Sequence, residues 1–252
     1  MFLLFVSRFL HTLHSMEALS YPIRINRYLA LENICTRREA DALIEKGKVS
    51  INGAPAVLGA MVQKGDKVEV AEKAVAQKHA AYVYFAYNKP QGVVTNPEKG
   101  HTSITQTLHI KEKVFPVGRL DKDSHGLIIL TNDGRITDKL LNPKYDHEKE
   151  YLVTVDKTGS PEFLRRMAQG VFIEGYKTQR CRTKKEGDKS FRLILNEGKK
   201  HQIRRMCSVL GYNVIDLQRV RVLNIELADL PKGRFQKLGG KELAEFLSRL
   251  EM

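Results

Sequence analysis

The residues best suited to chemistry lie in one short charged turn between two apolar segments. The turn contains Arg119, Asp121, Lys122, Asp123 and His125. The flanking segments, 114–117 and 127–131, are rich in β-branched residues and bounded by Gly, Pro and Asn, which predicts two buried strands. A loop held between strands can present one carboxylate with a defined geometry, so Asp121 is the candidate catalytic carboxylate. The alternative is that both aspartates only form local hydrogen bonds within the turn.

Composition limits the class of protein. A chain of 252 residues with 42% apolar residues can form one large domain or two modest ones. The net charge of +13 indicates a polyanionic partner, with nucleic acid favoured over an anionic membrane surface. The three cysteines form no CxxC pair and have no metal-ligand spacing, so we expect free thiols, no metal and a cytoplasmic location.

The N-terminal residues 1–20 are expected to be a disordered extension. Their apolar run is interrupted by Arg8, is too short to span a bilayer, and has neither a basic start nor a small-residue cleavage site. Met16 is an alternative start, and a targeting signal is the less favoured interpretation.

Residues 21–71 are predicted to form a small domain with the order helix, helix, sheet. Ile25 and Leu29 share a helical face, and Thr36 begins a capping box for a second helix. Segments 49–51 and 68–70 are predicted strands, the first of them followed by an Asn-Gly turn. An Ala-, Lys- and Gln-rich linker, 72–81, then leads to a second domain, 82–252.

The small domain contains six basic residues that are candidates for binding RNA phosphates. They are Arg24, Arg27, Arg37, Arg38, Lys46 and Lys48. Arg37 and Arg38 lie in the first turn of a helix, where the helix dipole disfavours positive charge, which suggests a use elsewhere. An ordinary solvated surface is the alternative, because acidic residues are interspersed.

Two further segments of the second domain are notable. Residues 151–155 show the alternation of a strand. Tyr151 could simply be a core residue, as an aromatic residue in a strand usually is. Segment 177–205 contains eleven Lys or Arg residues against three Asp or Glu residues. It ends in a predicted helix with one apolar side that faces the core. Arg204 and Arg205 lie off that side, and the alternative is that they are simply solvated, as basic residues at a helix edge usually are.

Several motifs resemble one known family. Gly118-Arg-Leu-Asp with Ser124-His-Gly-Leu is similar to the catalytic signature of the RsuA/RluF family of ribosomal RNA pseudouridine synthases. Asn88-Lys-Pro-x-Gly-Val, Lys149-x-Tyr-x-Val and Glu197-Gly-Lys-x-His-Gln-Ile-Arg-Arg-Met resemble further motifs of that family, and residues 21–71 resemble the S4 RNA-binding domain. The resemblance implies an α+β fold, with a small S4-type domain followed by a mixed, mainly antiparallel sheet.

The resemblance also implies roles for individual residues. Asp121 would supply the catalytic carboxylate, Tyr151 would stack on the target uracil, and Arg204 would be the cation beside Asp121. A carboxylate in a pocket dry enough to hold a uracil needs such a cation to stay charged. Besides the six basic residues of the small domain, the residues expected to contact RNA are Arg119, Lys122, His201, Gln202 and Arg205.

Isomerisation of uridine consumes no redox equivalent and no donated group, so no cofactor and no metal is expected. Within the family, the motifs look most like the RluF branch, which acts on large-subunit ribosomal RNA. A transfer RNA is a second candidate substrate, and the chain is expected to be a monomer without a membrane partner. The alternatives are a small-subunit ribosomal RNA synthase and a non-catalytic RNA-binding or ribosome-assembly factor.

Overall fold

The computed structural model describes residues 21–32, 34–71 and 81–252. The chain divides into two compact units, Met1–Ala80 and Ala81–Met252. The expected extension 1–20 and nearly all of the expected linker 72–81 lie outside the described residues. Within the described ranges, no helix is both long enough and apolar enough to cross a membrane.

The elements are numbered here in chain order. The first unit contains β1 (Ile23–Arg24), α1 (Ile25–Leu31), α2 (Arg37–Glu45), β2 (Val49–Ile51), β3 (Ala54–Pro55), β4 (Met61–Val62) and β5 (Val68–Val70). The second begins with β6 (Tyr84–Lys89), α3 (Ile104–Thr107), β7 (Phe115–Val117), β8 (His125–Thr131), α4 (Arg135–Leu141), β9 (Lys149–Val155) and α5 (Pro161–Ala168). It continues with β10 (Phe172–Ile173), β11 (Tyr176–Lys177), β12 (Arg182–Lys185), β13 (Ser190–Leu195), α6 (Gln202–Val209), β14 (Val214–Val222), β15 (Ile225–Glu226), β16 (Phe235–Lys237) and α7 (Gly240–Arg249).

Helix α2 of the first unit begins at the predicted capping box. The Glu39 amide donates to the Thr36 hydroxyl (3.3 Å), and the Thr36 amide donates to the Glu39 carboxylate (2.9 Å). These two amides would otherwise lack partners at the start of the helix. The apolar sides of both helices and the strands meet in one small core that includes Ile25, Leu29, Ala40, Ile44, Val49 and Val62.

The second unit is built on a nine-stranded sheet. Its strand order is β12-β13-β9-β14-β8-β6-β16, with β7 beside β8 and β15 beside β14. Strands β8 and β14 are parallel, and the other paired strands of the sheet are antiparallel. The predicted fold class, α+β with a mixed, mainly antiparallel sheet, is confirmed.

Both faces of this sheet are covered. Leu127 and Ile129 of β8 pack with α4 and α7 on one face, and Ile128 and Leu130 pack against the segment 93–114 on the other. This alternation follows from the period of two along a strand. Farther along the sheet, α5 and α6 cover β9, β13 and β14.

Most elements of the second unit lie where the sequence predicted them, but two do not. Strand β14 (Val214–Val222) was not predicted over its first half. The polar residues Asp216, Gln218 and Arg219 interrupt the apolar alternation that would have marked its first half. The hairpin of β10 and β11 was not predicted, because two-residue strands are too short to show a period.

Candidate active site

Asp121 lies in the loop that joins β7 to β8, as the sequence predicted. The Ser124 amide donates to the Asp121 carbonyl (3.0 Å), which closes the turn. At the exit of the loop, Gly126 has a φ of +104°, and a Cβ there would lie 2.3 Å from the Arg219 carbonyl oxygen. A side chain at this position would therefore force β8 away from β14, so glycine is required where the loop enters the sheet.

The segment after β6 holds the loop from one side. The Leu120 amide donates to the Thr95 hydroxyl (3.0 Å), which in turn donates to the Leu120 carbonyl (2.8 Å). The Gly92 amide donates to the Lys122 carbonyl (2.8 Å). Three main-chain groups on either side of Asp121 are thus fixed by one neighbouring segment.

Among the described residues, the His201 imidazole lies within ion-pair distance of the Asp121 carboxylate. Its Nε2 lies 3.4 Å from Asp121 Oδ1, and the Asp121 side chain is 37% exposed. His201 is the residue immediately before α6 and has a positive φ of 52°. The carboxylate is therefore accessible to a ligand and has an imidazole beside it.

Arg204 contacts the loop but not the Asp121 carboxylate. Its guanidinium donates to the carbonyls of Asp123 (3.0 Å) and Val214 (3.1 Å). It joins the Asp121 loop to the start of β14, and among the described residues His201 is the side chain within ion-pair distance of Asp121. That Arg204 is the cation beside the carboxylate stays a prediction.

Tyr151 lies in the same row of the sheet as the exit of the loop. Going across the strands, Tyr151 is the partner of Arg219, Arg219 of Gly126, and Gly126 of Lys89. Residues directly opposite one another point to the same face, and Tyr151 packs against the core beneath α5 and α6. Tyr151, Arg219 and Lys89 therefore share one face of the sheet.

Among the described residues of the sheet, two lysines and one arginine are buried: Lys89, Lys149 and Arg219. Lys89 Nζ donates to the carbonyls of Pro90 and Val93, Lys149 Nζ donates to the His147 carbonyl, and Arg219 Nε donates to the Leu127 carbonyl. Because these side chains are buried, solvent screens their charges little.

Burial lowers the pKa of both lysines from 10.5 to about 8. For Lys89 the carboxylates of Asp121 and Asp123 oppose this effect, and for Lys149 the charge of Arg219 adds to it. Each shift has the sign expected when desolvation penalises an ammonium group.

The other residues predicted to contact RNA differ in accessibility. Arg119, Lys122 and His201 are exposed, whereas Arg205 is half-buried. The six basic residues predicted for the first unit are also exposed: Arg24, Arg27, Arg37, Arg38, Lys46 and Lys48.

Gln202 is an exception among the predicted RNA contacts. Its side chain is buried and donates to Glu197 Oε1 (2.7 Å), and it accepts from the Lys199 amide (2.9 Å). It organises the turn before α6, which corrects the expectation that it contacts RNA.

Several residues of the site were not identified from the sequence. Thr95 and Arg219 lie far from Asp121 along the chain, and neither belongs to a charged or aromatic cluster. Lys89 belongs to the motif Asn88-Lys-Pro-x-Gly-Val, and only the resemblance of that motif to the family drew attention to this segment. These residues belong to the site because of their burial and their contacts in the folded chain. Neither property can be predicted from the spacing of residues along the sequence.

The chain was compared with known proteins. Residues 83–209 match the family model of RNA pseudouridylate synthases, and residues 23–68 match the S4 domain. A crystal structure of a pseudouridylate synthase has a TM-score of 0.66 and 28% identity, over 90% of this chain and 99% of the other.

The fold and the matched residues define the class: the chain belongs to the RNA pseudouridine synthase family and is an enzyme that isomerises uridine in RNA. Among its relatives, the dual-specificity RNA pseudouridine synthase RluF of Escherichia coli (strain K12) is 44% identical over 231 residues, which are 91% of this chain and 80% of the relative. Ribosomal large subunit pseudouridine synthase B of Bacillus subtilis (strain 168) is 34% identical, over 87% of this chain and 93% of the relative. The resemblance to the RsuA/RluF family is confirmed.

Proposed function

We propose that this enzyme converts one uridine of large-subunit ribosomal RNA to pseudouridine, with Asp121 as the catalytic carboxylate. Support for the substrate comes from the relatives, one of which is named for the large ribosomal subunit. The dual specificity of the RluF relative supports a second RNA, for which we propose a transfer RNA. We further propose that the chain works as a monomer in the cytoplasm, where its RNA substrates are found.

The reaction exchanges one bond for another within a single nucleotide. The bond from N1 to C1′ breaks, the uracil turns, and a bond from C5 to C1′ forms. C5 loses a proton and N1 gains one, so the reaction needs an ionised nucleophile, a pocket for the detached base and a proton acceptor.

The arrangement that carries the proposal for Asp121 is its fixed but accessible loop. The main chain on both sides is hydrogen-bonded to neighbouring segments, while the carboxylate remains partly exposed. A nucleophile held in this way does not have to be ordered when the substrate binds. The carboxylate can attack C1′, attack C6 of the uracil, or assist formation of a glycal.

Two residues are proposed to support Asp121. The Tyr151 ring would stack on the uracil that has left the RNA helix, since extruded bases are held between apolar or aromatic groups. Arg204 would act as a positioning residue that fixes the loop through its carbonyls, and its charge adds to that of the buried cations.

RNA outside the active site is proposed to bind to exposed basic residues. In the catalytic unit these are Arg119, Lys122, His201 and Arg205, and in the S4 unit the six residues named above. Such contacts fix the orientation of RNA on the protein, while its folded shape gives the specificity.

A pseudouridine map of ribosomal and transfer RNA tests the proposal. We expect cells that lack the gene to lose the mark at one uridine of large-subunit RNA and to regain it with the parent gene but not with Asp121→Asn. Loss confined to small-subunit RNA would assign the enzyme to the other substrate class. No loss in any RNA would favour a protein that binds RNA without modifying it.

A further inference from the structure

The hairpin of β10 and β11 is a short element with a well-fixed conformation. Its two-residue turn, Glu174-Gly175, has positive φ at both positions (42° and 87°), as in a type I′ turn. At its base the Thr178 amide donates to the Val171 carbonyl (3.0 Å), and the Val171 amide donates to the Thr178 hydroxyl (2.9 Å). Both ends of the hairpin are therefore constrained.

The two sides of the hairpin have different surroundings. Ile173 and Tyr176 are partners across it and pack against the core beneath α6. Phe172 and Lys177 are the other pair of partners, and they point to the opposite side. Phe172 is 65% exposed there. Because Ile173 is buried, Phe172 cannot turn inward unless the hairpin leaves the core.

No other exposed Phe or Tyr of the described residues has a comparable setting. Phe235 is 37% exposed, but its ring packs edge-on against Phe85, with 5.6 Å between centroids. Phe172 instead presents most of its ring to solvent on a rigid hairpin. A ring in that position can take up a flat partner without any change in the protein.

A cation lies on the same side of the hairpin as Phe172. Lys177 is the partner of Phe172 across the hairpin. At the turn, Arg205 Nη1 lies 2.7 Å from the carboxylate of Glu174. An aromatic ring beside a lysine fits a base with its phosphate, because the ring can stack on the base and the lysine can contact the backbone.

Helix α6 connects this hairpin to the catalytic loop. His201, at the start of the helix, contacts Asp121, and Arg205, one turn later, contacts Glu174. The Arg205 amide donates to the His201 carbonyl (3.0 Å), as in a helical turn. One helical turn of α6 therefore separates the residue that contacts Asp121 from the residue that contacts the turn of the hairpin.

From these contacts we propose that the hairpin is an RNA-binding element in which the Phe172 ring stacks on an unpaired base next to the target uridine and Lys177 contacts its phosphate. The proposal rests on RNA as the substrate of the family. It does not depend on which RNA is modified. Stacking of this kind accepts any base, so the hairpin contributes affinity and local strand geometry more than sequence preference.

The test uses the full chain and a short stem-loop RNA with unpaired uridines and a fluorescent label. Phe172→Leu and Phe172→Ala should weaken binding by about five-fold to about a hundred-fold, the range that one base–aromatic stack contributes. Phe172→Trp should bind as the parent does. Phe235→Leu removes an exposed ring from β16, at the opposite edge of the sheet, and should leave affinity unchanged.

A second measurement reports stacking itself. With 2-aminopurine beside the uridine, the parent and Phe172→Trp should quench its fluorescence more than Phe172→Leu does. Lys177→Gln should reduce the slope of log K against log salt by about 0.7, the value for one contact with single-stranded RNA.

Equal affinity of the parent, Phe172→Leu and Phe172→Ala would overturn the proposal. Equal losses in the Leu, Ala and Trp variants would also overturn it, because the hairpin would then matter through its packing alone. If the Leu variant does not fold, an unchanged salt slope in Lys177→Gln would overturn it by itself. These binding results are independent of the pseudouridine map, so failure of the proposed rRNA target and failure of this inference can be told apart.

Discussion

Asp121 and Asp123 are two residues apart in one loop, but their side chains have different surroundings. The Asp121 carboxylate lies 3.4 Å from His201, whereas the Asp123 side chain is exposed and the loop uses its main-chain carbonyl, which accepts from Arg204. A substitution that changes only the side chain can therefore separate catalysis from the shape of the loop.

We predict that Asp121→Asn abolishes isomerisation and leaves RNA binding intact, because it removes the charge but little volume. The rate should fall by more than about a thousand-fold, as is typical when a nucleophile is lost. Asp123→Asn is the matched control and should retain most of the activity. Single-turnover kinetics with saturating RNA give both rates, and turnover by purified Asp121→Asn within a thousand-fold of the parent would refute the assignment.

Buried Lys149 makes the stability of the protein depend on pH. Its pKa is about 8 in the folded chain against 10.5 for the free side chain, so between these values the unfolded chain binds more protons than the folded chain. Stability from this group therefore rises as the pH rises through about 8. Below that pH the folded protein bears the full cost of a buried charge.

We predict that the parent gains about 1 kcal/mol over Lys149→Met between about pH 7 and about pH 9. Methionine has a similar length but no charge, so it lacks this pH-dependent contribution. Urea unfolding at the two pH values gives the difference, with the exposed Lys232→Met as the surface control. Cysteine thiols whose pKa is raised by burial act in the opposite direction, but they are common to all three proteins and cancel. A constant difference between parent and Lys149→Met would show that Lys149 stays charged in the folded protein up to about pH 9, so that burial does not lower its pKa.

Helix α6 coordinates the active site at the level of elements. Its start contacts Asp121 through His201, the catalytic loop and β14 through Arg204, and the hairpin through Arg205. The sequence predicted the helix and its buried side from apolar periodicity. It did not predict that Arg204 would donate to carbonyls, because a hydrogen bond to the main chain of a distant loop leaves no pattern in the sequence.

Arg204→Lys tests whether this helix positions the loop. The lysine keeps the charge but cannot reach the carbonyls of Asp123 and Val214 together. We expect the single-turnover rate to fall by about a hundred-fold while RNA affinity changes little, since a small displacement of a catalytic group has an effect of that order. Arg166→Lys, which changes an exposed arginine of α5, is the control. A loss of affinity without a loss of rate would mean that Arg204 is a phosphate contact.

Strand β14 shows why part of the site could not be predicted. Arg219 lies in its second half and is buried beside β8, where it donates to the Leu127 carbonyl (2.6 Å). In the sequence it is one more basic residue in a basic protein. Its burial depends on the pairing of β14 with β8, two strands that are far apart along the chain. Asp121 and Tyr151 were found because each belongs to a local motif.

At the scale of the whole molecule, the chain combines a catalytic unit with a small S4 unit that has its own core. Arg37 and Arg38 begin α2, a position where the helix dipole disfavours cations, and both are exposed. Their placement at this end of the helix is explained if RNA phosphates bind there, since helix N-termini attract anions. The S4 unit would then add affinity for RNA that the catalytic unit does not reach.

We therefore predict that Arg37→Gln with Arg38→Gln weakens binding to long ribosomal RNA and reduces its salt dependence. Each phosphate contact that is lost should lower the slope of log K against log salt by about 0.7–0.9. The rate at saturating RNA should stay at the parent value, because Asp121 is untouched. Lys232→Gln, which removes an exposed charge from the catalytic unit, is the control. If the double variant keeps the parent's affinity and salt slope, RNA is not bound at the start of α2, and the two arginines belong to an ordinary solvated surface.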